Sequence, residues 1–192
     1  MTGATFHRKM LRKSLTNSSR PSVVDALHRQ GVELSLQRTW SRGRWFANYT
    51  LTEATFEDDI DLFTFANADR VAHVQKGDSL LLVPAHRLNG GVEFALSPDW
   101  RLSFDGTYVG SQHLRGDEAN QRGQLEPYFL ANAQVAYQTK HYEFFLRCEN
   151  LFDNDYESYG AFFDNTLDGT GVERFLSPGP PFGVFAGVRL RF

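Results

Sequence analysis

The sequence predicts an all-β protein, namely an antiparallel transmembrane β-barrel segment of about seven to eight strands with short periplasmic turns and long extracellular loops. Three observations support this prediction. Segments of about ten residues alternate apolar and polar side chains, which is the period of a strand with different surroundings on its two faces. The connections between the segments alternate in length, and aromatic residues flank the short ones. Strands of about this length and connections of this kind are typical of outer-membrane barrels.

Seven segments carry the alternation, and they are predicted at 31–40, 45–54, 86–96, 100–110, 128–138, 142–151 and 182–192. In the last segment one face is apolar, whereas the other carries small, charged or aromatic side chains. The residues of the apolar face are Val184, Ala186, Val188, Leu190 and Phe192. An apolar edge of this length is an aggregation hazard in a soluble sheet, but it suits the lipid face of a membrane barrel.

The connections between these segments are short and long in turn. The short turns lie at 41–44, 97–99 and 139–141, and the long segments lie at 55–84, 111–127 and 153–181. Aromatic residues flank the short turns, and these are Trp40, Trp45, Trp100, Tyr137 and Tyr142. We interpret them as an aromatic girdle at one membrane interface, although aromatic residues also end strands in soluble sheets.

The amino-acid composition of the chain limits which classes of function it can have. The net charge of −3 and the pI of about 6.1 give no bulk case for nucleic-acid binding. No apolar run approaches the roughly 18–20 residues of a membrane helix. Cys148 is the single cysteine, so an internal disulfide is excluded, and a small buried or lipid-facing hydrophobe is the favoured interpretation of this residue.

Residues 1–29 differ from the rest of the chain. The first twenty residues hold five basic side chains and no acid, and the apolar core of a signal peptide does not follow them. We therefore expect a basic, polar segment that is weakly structured or contributes one partial strand, and no export signal is visible in it. A mitochondrial-type presequence is an alternative that nothing else in the chain supports.

Candidate chemistry in the loops is sparse. In 55–84, the apolar pieces Leu62–Phe65 and Leu80–Val83 are predicted as hairpin arms, whereas 111–127 reads as polar. His86 and His113 are expected at extracellular strand ends, where solvation is favoured over contact with an iron complex.

Charged side chains have two interpretations. A divalent cation near lipopolysaccharide is conceivable at Asp58, Asp59 and Asp61, but a solvated acidic loop is favoured. Ion pairs that line a barrel are expected among Glu93, Arg101, Asp105, Glu143, Arg147, Glu149 and Arg189. No phosphate-binding loop, metal-spaced Cys/His pair or nucleophile elbow occurs, so no catalytic, metal or cofactor site is predicted and an enzyme is the least expected class.

Three features follow one another at the carboxyl-terminal end. They are Glu149–Tyr156, which reads Glu-Asn-Leu-Phe-Asp-Asn-Asp-Tyr, the Pro-Gly-Pro-Pro run at 178–181, and an alternating strand that ends in Phe192. In this order they resemble the end of TonB-dependent outer-membrane receptors, and the resemblance covers roughly residues 30–192. The motif residues are Asn150, Leu151, Phe152, Asp153, Tyr156, Pro178, Gly179 and Pro180.

The resemblance implies roles for these residues. Asn-Leu-Phe-Asp would close the penultimate strand, and Pro-Gly-Pro would lead into the last one. Val184, Val188, Leu190 and Phe192 would serve as the barrel-assembly signal.

The resemblance also implies a function, which is uptake of a scarce nutrient such as a ferric siderophore across the outer membrane of a Gram-negative bacterium. The expected partners are membrane lipid, lipopolysaccharide and the barrel-assembly machinery. The TonB complex would be contacted only through a missing N-terminal part, which would also supply the plug. We therefore expect a fragment or truncated gene product that carries the C-terminal barrel portion and three loops.

Other interpretations stay open. An open seven-stranded sheet in lipid leaves two edges whose unpaired backbone groups cost several kcal/mol each. The segment would thus belong to a longer polypeptide, pair with copies of itself, close with residues 20–29, or be a remnant. A stand-alone eight-stranded outer-membrane barrel with a structural or adhesion role requires a strand within 20–29 that pairs with 182–192. A soluble ligand-binding barrel requires a polar outward face.

Overall fold

The structure, a computed structural model, describes residues 27–165 and 171–190. All regular secondary structure in these residues is β-strand. The strands are β1 (Leu27–Trp40), β2 (Gly43–Phe56), β3 (Ile60–Phe63), β4 (Val71–Val74), β5 (His86–Ala95), β6 (Trp100–Val109), β7 (Gln112–His113), β8 (Gln124–Leu125), β9 (Tyr128–Gln138), β10 (Tyr142–Glu149), β11 (Glu157–Asn165), β12 (Gly171–Pro178) and β13 (Gly183–Leu190).

Seven strands form one antiparallel sheet in the order β1, β2, β5, β6, β9, β10 and β13. The register keeps apolar side chains on a common face, since Leu34 lies opposite Tyr49, Tyr49 opposite Leu88, and Leu88 opposite Tyr108. At the far side of the sheet Leu146 lies opposite Ala186. A slip of one residue would turn every side chain of a strand to the other face, so this register defines one apolar and one polar face for the whole sheet.

All seven predicted strands are confirmed, and the main differences are at the long-loop end. β1 begins at Leu27 and β2 ends at Phe56, and these two residues lie opposite each other. Both join an apolar cluster beneath a loop, which extends the ladder past the alternating segment. Residues 27–30 therefore pair with β2, which is not the pairing that a closed eight-stranded barrel needs. Residues 20–26 lie outside the described residues.

Each long connection contains its own two-stranded hairpin, formed by β3 and β4, by β7 and β8, and by β11 and β12. The predicted arm at Leu80–Val83 is wrong, because the partner of β3 is β4 at Val71–Val74. The chain turns back early because the backbone N–H of Arg70 donates to the carbonyl of Asn67, while the Asn67 amide donates to the carbonyl of Val71.

The most deeply buried apolar side chains lie in the long connections. The largest fully buried side chains among the described residues are Leu114, Leu125 and Val74, and all three belong to long connections. By contrast, Val184, Val188 and Leu190 on the apolar face are 52%, 55% and 55% exposed. The sheet therefore presents its apolar face to the surroundings, as a strand wall in lipid does.

The sheet has two open edges in the described part of the chain, because β1 pairs only with β2 and β13 only with β10. The barrel is thus not closed by residues 27–165 and 171–190. None of the described segments forms a helix that is long and apolar enough to span a membrane.

Candidate functional site

Charged side chains on the polar face of the sheet pair across neighbouring strands, as the sequence predicted. Glu93 accepts from Arg44 at 3.3 Å and lies 3.5 Å from Arg101. Near the other edge, Arg189 donates to Glu143 at 2.7 Å, and the Glu143 side chain is only 10% exposed. These pairs join β2, β5 and β6 on one side and β10 and β13 on the other.

A second polar group surrounds Asp105 in the middle of the sheet. Asn132 donates to one Asp105 oxygen at 2.6 Å, and Arg147 lies 3.9 Å from the other oxygen. The Arg147 Nε also donates to Glu149 at 2.8 Å. The carboxylates of the polar face are therefore mostly neutralised by neighbours on the same face.

A hollow of about 550 Å³ lies on this face between the two polar groups. Its lining includes Phe46, Asn48, Asn89 and Asp105. Beside the hollow, Gly91 lets the Phe46 ring pack against the sheet, since a Cβ on Gly91 would lie 2.9 Å from that ring. Asn48 accepts from Ser35 and donates to Asn89 at 2.8 Å, so one hydrogen-bonded row crosses three strands.

The three long connections pack together into one structure, which we call the loop cap (residues 57–85, 110–127 and the described parts of 150–182). Its core contains Ala66 from the first loop, Leu114 and Leu125 from the second, and Phe162 from the third. Because the segment 111–127 was predicted to be simply polar, these two buried leucines were missed.

Arg122 connects all three loops. Its guanidinium donates to the carbonyl of Ala66 at 3.0 Å and to Asn67 at 3.2 Å, and it lies 5.3 Å from the centre of the Phe162 ring. The backbone N–H of Arg122 donates to Asp117, a 3% exposed carboxylate. One arginine thus holds the loops by hydrogen bonds and by a cation–π contact.

The loop cap folds over the polar face of the sheet. Tyr128 lies opposite Val109 and shares the face of Asp105 and Asn132, and its ring lies 4.6 Å from the ring of Tyr156 in the third loop. In the first loop, the hairpin of β3 and β4 packs on Phe56. By alternation Phe56 lies on the same face as Asn48. The base of the third loop and the hairpin of β3 and β4 therefore lie on the polar side of the sheet, at its long-loop end.

Four phenylalanines form a continuous exposed surface on this cap, and we call it the aromatic face (Phe63, Phe65, Phe163 and Phe175). The rings of Phe63 and Phe65 are 4.8 Å apart, those of Phe65 and Phe163 are 6.2 Å apart, and those of Phe163 and Phe175 are 6.1 Å apart. Their exposed fractions run from 38% to 64%. No local pattern in the sequence marks this surface, because its members come from two loops.

The carboxyl-terminal motif closes the base of the third loop. The Asn150 amide donates to the carbonyls of Asn154 and Pro180, and its oxygen accepts from the backbone N–H of Asn154. Asp153 accepts from the backbone N–H of Phe182 at 2.8 Å. The two motif side chains therefore tie the end of β10 to the start of β13.

Both turn residues have left-handed backbones, with φ of 48° at Asn150 and 50° at Asp153. Asn and Asp tolerate this region better than most residues, because their short polar side chains bond to the local backbone. The backbone N–H of Asn150 also donates to Asn132 at 3.1 Å. Asn132 was not singled out in the sequence, since only this long-range contact marks it.

Tyr156 and Gly179 fit together on the other side of the loop base. The backbone N–H of Gly179 donates to the carbonyl of Tyr156, and a Cβ on Gly179 would clash with the tyrosine ring. Burial, with smaller contributions from Tyr128 and Glu149, raises the pKa of Tyr156. Leu151, Phe152, Pro178 and Pro180 of the motif are exposed.

The remaining predicted positions are distributed along the apolar face. Trp40, Trp45, Trp100, Tyr137 and Tyr142 all lie on it at the end with the short turns, and the rings of Trp100 and Tyr137 are 5.0 Å apart. Val184, Val188 and Leu190 lie on the same face of β13. Phe192 lies outside the described residues. Their roles as a girdle and as an assembly signal stay predictions.

The two histidines and two of the three acids singled out in the sequence have protein partners. His86 bonds to Tyr49 at 2.8 Å, and His113 contacts Asp117 at 3.1 Å. Asp59 accepts from the backbone of Lys76, and Asp61 pairs with His73. In the described part of the chain, no group of three or more His, Cys, Asp or Glu residues is arranged to hold a metal ion.

Comparison with known proteins agrees with this geometry. The family model described as "TonB dependent receptor-like, beta-barrel" matches residues 10–151. The comparison with curated proteins gives no match. Among solved structures, the siderophore receptor PiuA from Acinetobacter baumannii superposes with a TM-score of 0.67 at 16% identity, covering 84% of this chain and 21% of that one.

Two further receptors share the fold. The ferric-catecholate import receptor Fiu from E. coli K12 has a TM-score of 0.59 at 22% identity, over 84% of this chain and 20% of its own. The ferric yersiniabactin uptake receptor FyuA from Yersinia pestis has a TM-score of 0.61 at 17% identity, over 85% of this chain and 23% of its own. The chain spans about a fifth of the length of these receptors. Since the family match covers well over half of the sequence, the chain belongs to the TonB-dependent receptor family and forms part of its β-barrel.

Proposed function

We propose that this chain forms the C-terminal wall and three outer loops of a receptor that imports a ferric siderophore across the outer membrane of a Gram-negative bacterium. The observation that carries the proposal is the family match, together with a sheet whose apolar face is exposed and whose polar face lies beneath a loop cap. The structural neighbours are named for siderophore or ferric-chelate import, which supports transport and not catalysis.

We further propose that additional strands complete the barrel. The outer edges of β1 and β13 have no partner in the described residues, and unpaired backbone groups in lipid cost several kcal/mol each. Strands outside this sequence would pair with both edges. A plug and a TonB-contacting segment, also outside this sequence, would couple transport to an energy source. Residues 27–29 belong to β1, so the proposed wall begins at Leu27.

The apolar face supports the proposed partners. Membrane lipid would cover residues such as Phe104 and Val188, and the aromatic girdle would lie at the periplasmic interface. Lipopolysaccharide would surround the long-loop end. We assign Val184, Val188, Leu190 and Phe192 to recognition by the barrel-assembly machinery, as the resemblance implies. Deleting Phe192 should lower the amount of assembled protein in the outer membrane, and an unchanged amount would count against this assignment.

An uptake assay tests the proposed function. Cells that lack the gene should take up less radioactive iron from at least one ferric chelate in iron-poor medium, and uptake should also disappear when TonB is removed. Complementation with the wild-type gene should restore it. Equal uptake with and without the gene, over a panel of anionic, neutral and cationic ferric chelates, would refute the proposal.

An immunoblot tests how the wall is completed. An antibody against residues 153–181, applied to outer membranes, should detect a band at least about three times heavier than 21.9 kDa if the wall belongs to one long polypeptide, as the size of 22-stranded plugged receptors requires. A membrane band near 21.9 kDa would instead favour the stand-alone barrel. The absence of any band would indicate a gene product that is not assembled.

A further inference from the structure

The aromatic face lies beside a large excess of negative charge. The first loop (57–85) holds six acids and two bases, the second (110–127) three acids and two bases, and the third (150–182) six acids and one base. Their combined formal charge is −10, whereas the whole chain carries only −3. The negative charge of the sequence is therefore concentrated at the end of the molecule where the proposed cargo would enter.

Two of these acids lie on the aromatic face itself. Asp61 alternates with Phe63 on the outer side of β3, and its side chain is 69% exposed. Glu173 lies directly opposite Phe163 in the hairpin of β11 and β12. Carboxylates next to exposed rings form a surface that favours positively charged groups, since the ring faces and the acids attract them together.

The molecule already contains one example of this chemistry. The guanidinium of Arg70 lies 5.8 Å from the centre of the Phe65 ring and 3.4 Å from Asp164. A cation is thus held between a ring of the aromatic face and a carboxylate of the neighbouring loop. Phe163 and Glu173, whose carboxylate also accepts from Asn165 at 3.0 Å, set a ring and an acid side by side in the third loop in a comparable way.

We propose that the aromatic face binds a positively charged ferric chelate, one that carries a protonated amine, and that it discriminates against polyanionic chelates. This inference rests on the proposed function and specifies its cargo class. A charge of −10 within the loops opposes an anion that approaches within the Debye length of about 8 Å at physiological salt. The same charge attracts a cation and should accelerate its association.

A pair of matched ferric chelates tests the effect of the ligand's positive charge alone. Ferrioxamine B is a linear hydroxamate chelate with one protonated amine, and its N-acetyl derivative has the same iron centre without that charge. Outer membranes that contain the receptor should bind the cationic probe more tightly than the acetylated one, and ferric enterobactin, a polyanion, should bind most weakly. The preference for the cation should shrink as salt is added.

Two sets of variants separate the rings from the acids. The double variant Asp61→Asn/Glu173→Gln keeps the side-chain shapes, and it should weaken the cationic probe about tenfold while leaving the acetylated probe unchanged. The double variant Phe163→Ala/Phe175→Ala should weaken both probes about tenfold or more. Phe182→Ala, an exposed phenylalanine of the same loop outside the aromatic face, is the control and should change neither.

Tighter binding of the polyanion than of the cation would overturn the inference, as would an unchanged ratio of the two hydroxamate probes after Asp61→Asn/Glu173→Gln. Uptake of ferric enterobactin alone would overturn the inference about cargo charge but would still satisfy the proposed function. Uptake of no ferric chelate would refute the proposed function itself. Equal outer-membrane amounts of all variants, checked by immunoblot, exclude assembly defects as the cause.

Discussion

Leu125 in the loop cap and Val188 in the last strand are both aliphatic, yet their surroundings are opposite. Leu125 is 1% exposed among side chains of all three loops, whereas Val188 is 55% exposed on the apolar face of the sheet. The cap therefore buries apolar surface in protein, as a soluble domain does. The wall leaves it exposed, so we expect its stability to depend on backbone pairing and on the surrounding membrane.

This difference predicts that the cap can be destabilised without the wall. Leu125→Ala removes a fully buried side chain and should cost about 2–5 kcal/mol of local stability, because the cavity cannot be filled by lipid. Hydrogen exchange should show faster exchange of cap amides, while the amides of β6 and β9 stay protected. Leu176→Ala, a 38% exposed leucine of the same cap, should have a much smaller effect. Loss of protection throughout the sheet would show that the two regions unfold together.

The wall should respond to charge on one face only. Phe104 lies near the middle of the apolar face, so Phe104→Arg should cost about 2–4 kcal/mol in a bilayer, since the charge would face hydrocarbon. Phe46→Arg puts the same charge on the polar face of the same sheet, where water and carboxylates can solvate it. We expect a reduced amount of folded outer-membrane protein for the first variant alone. Equal losses for both would mean that the assignment of the two faces is wrong.

The two regions also differ in how much of their structure can be predicted from the sequence. In the wall, a period of two is propagated through the register, so the positions of Leu34, Tyr49 and Leu88 on one face follow from alternation alone. In the cap, burial depends on contacts between loops. Leu114 and Leu125 stand in a polar stretch, and nothing local indicates that Phe162 from the third loop will cover them.

The carboxyl-terminal motif lies between these cases. Resemblance identified Asn150 and Asp153, and the structure gives them a physical role, which is to join β10 to β13. Asn132, which accepts from the backbone N–H of Asn150, stands 18 residues away on another strand, and no local signal marks it. The aromatic face was missed for the same reason, because Phe65 and Phe163 meet only after both hairpins have folded.

Asn150 tests whether the boundary between wall and cap is held by side-chain bonds or by backbone conformation. Asn150→Ala should cost about 1–3 kcal/mol, since the buried Asn150 amide and its bonds to the carbonyls of Asn154 and Pro180 are lost. Asn150→Gly loses the same bonds but adopts the positive φ more easily, so a smaller cost is expected. Protease cleavage within 150–182 in intact cells would measure the opening of the loop base. Equal cleavage of both variants would assign the effect to the hydrogen bonds alone.

The smallest effect is expected on the polar face of the wall, where charges are half exposed and water is available. Arg101 is 53% exposed and lies 3.5 Å from Glu93, which also accepts from Arg44. Arg101→Gln should therefore change the unfolding free energy by about 0–1 kcal/mol, and added salt should reduce the difference further. Urea unfolding in lipid at low and high salt would measure it. A larger, salt-independent loss would mean that Arg101 is enclosed in the complete barrel, by a plug or by the remaining strands, and would make this pair a marker for what fills the interior.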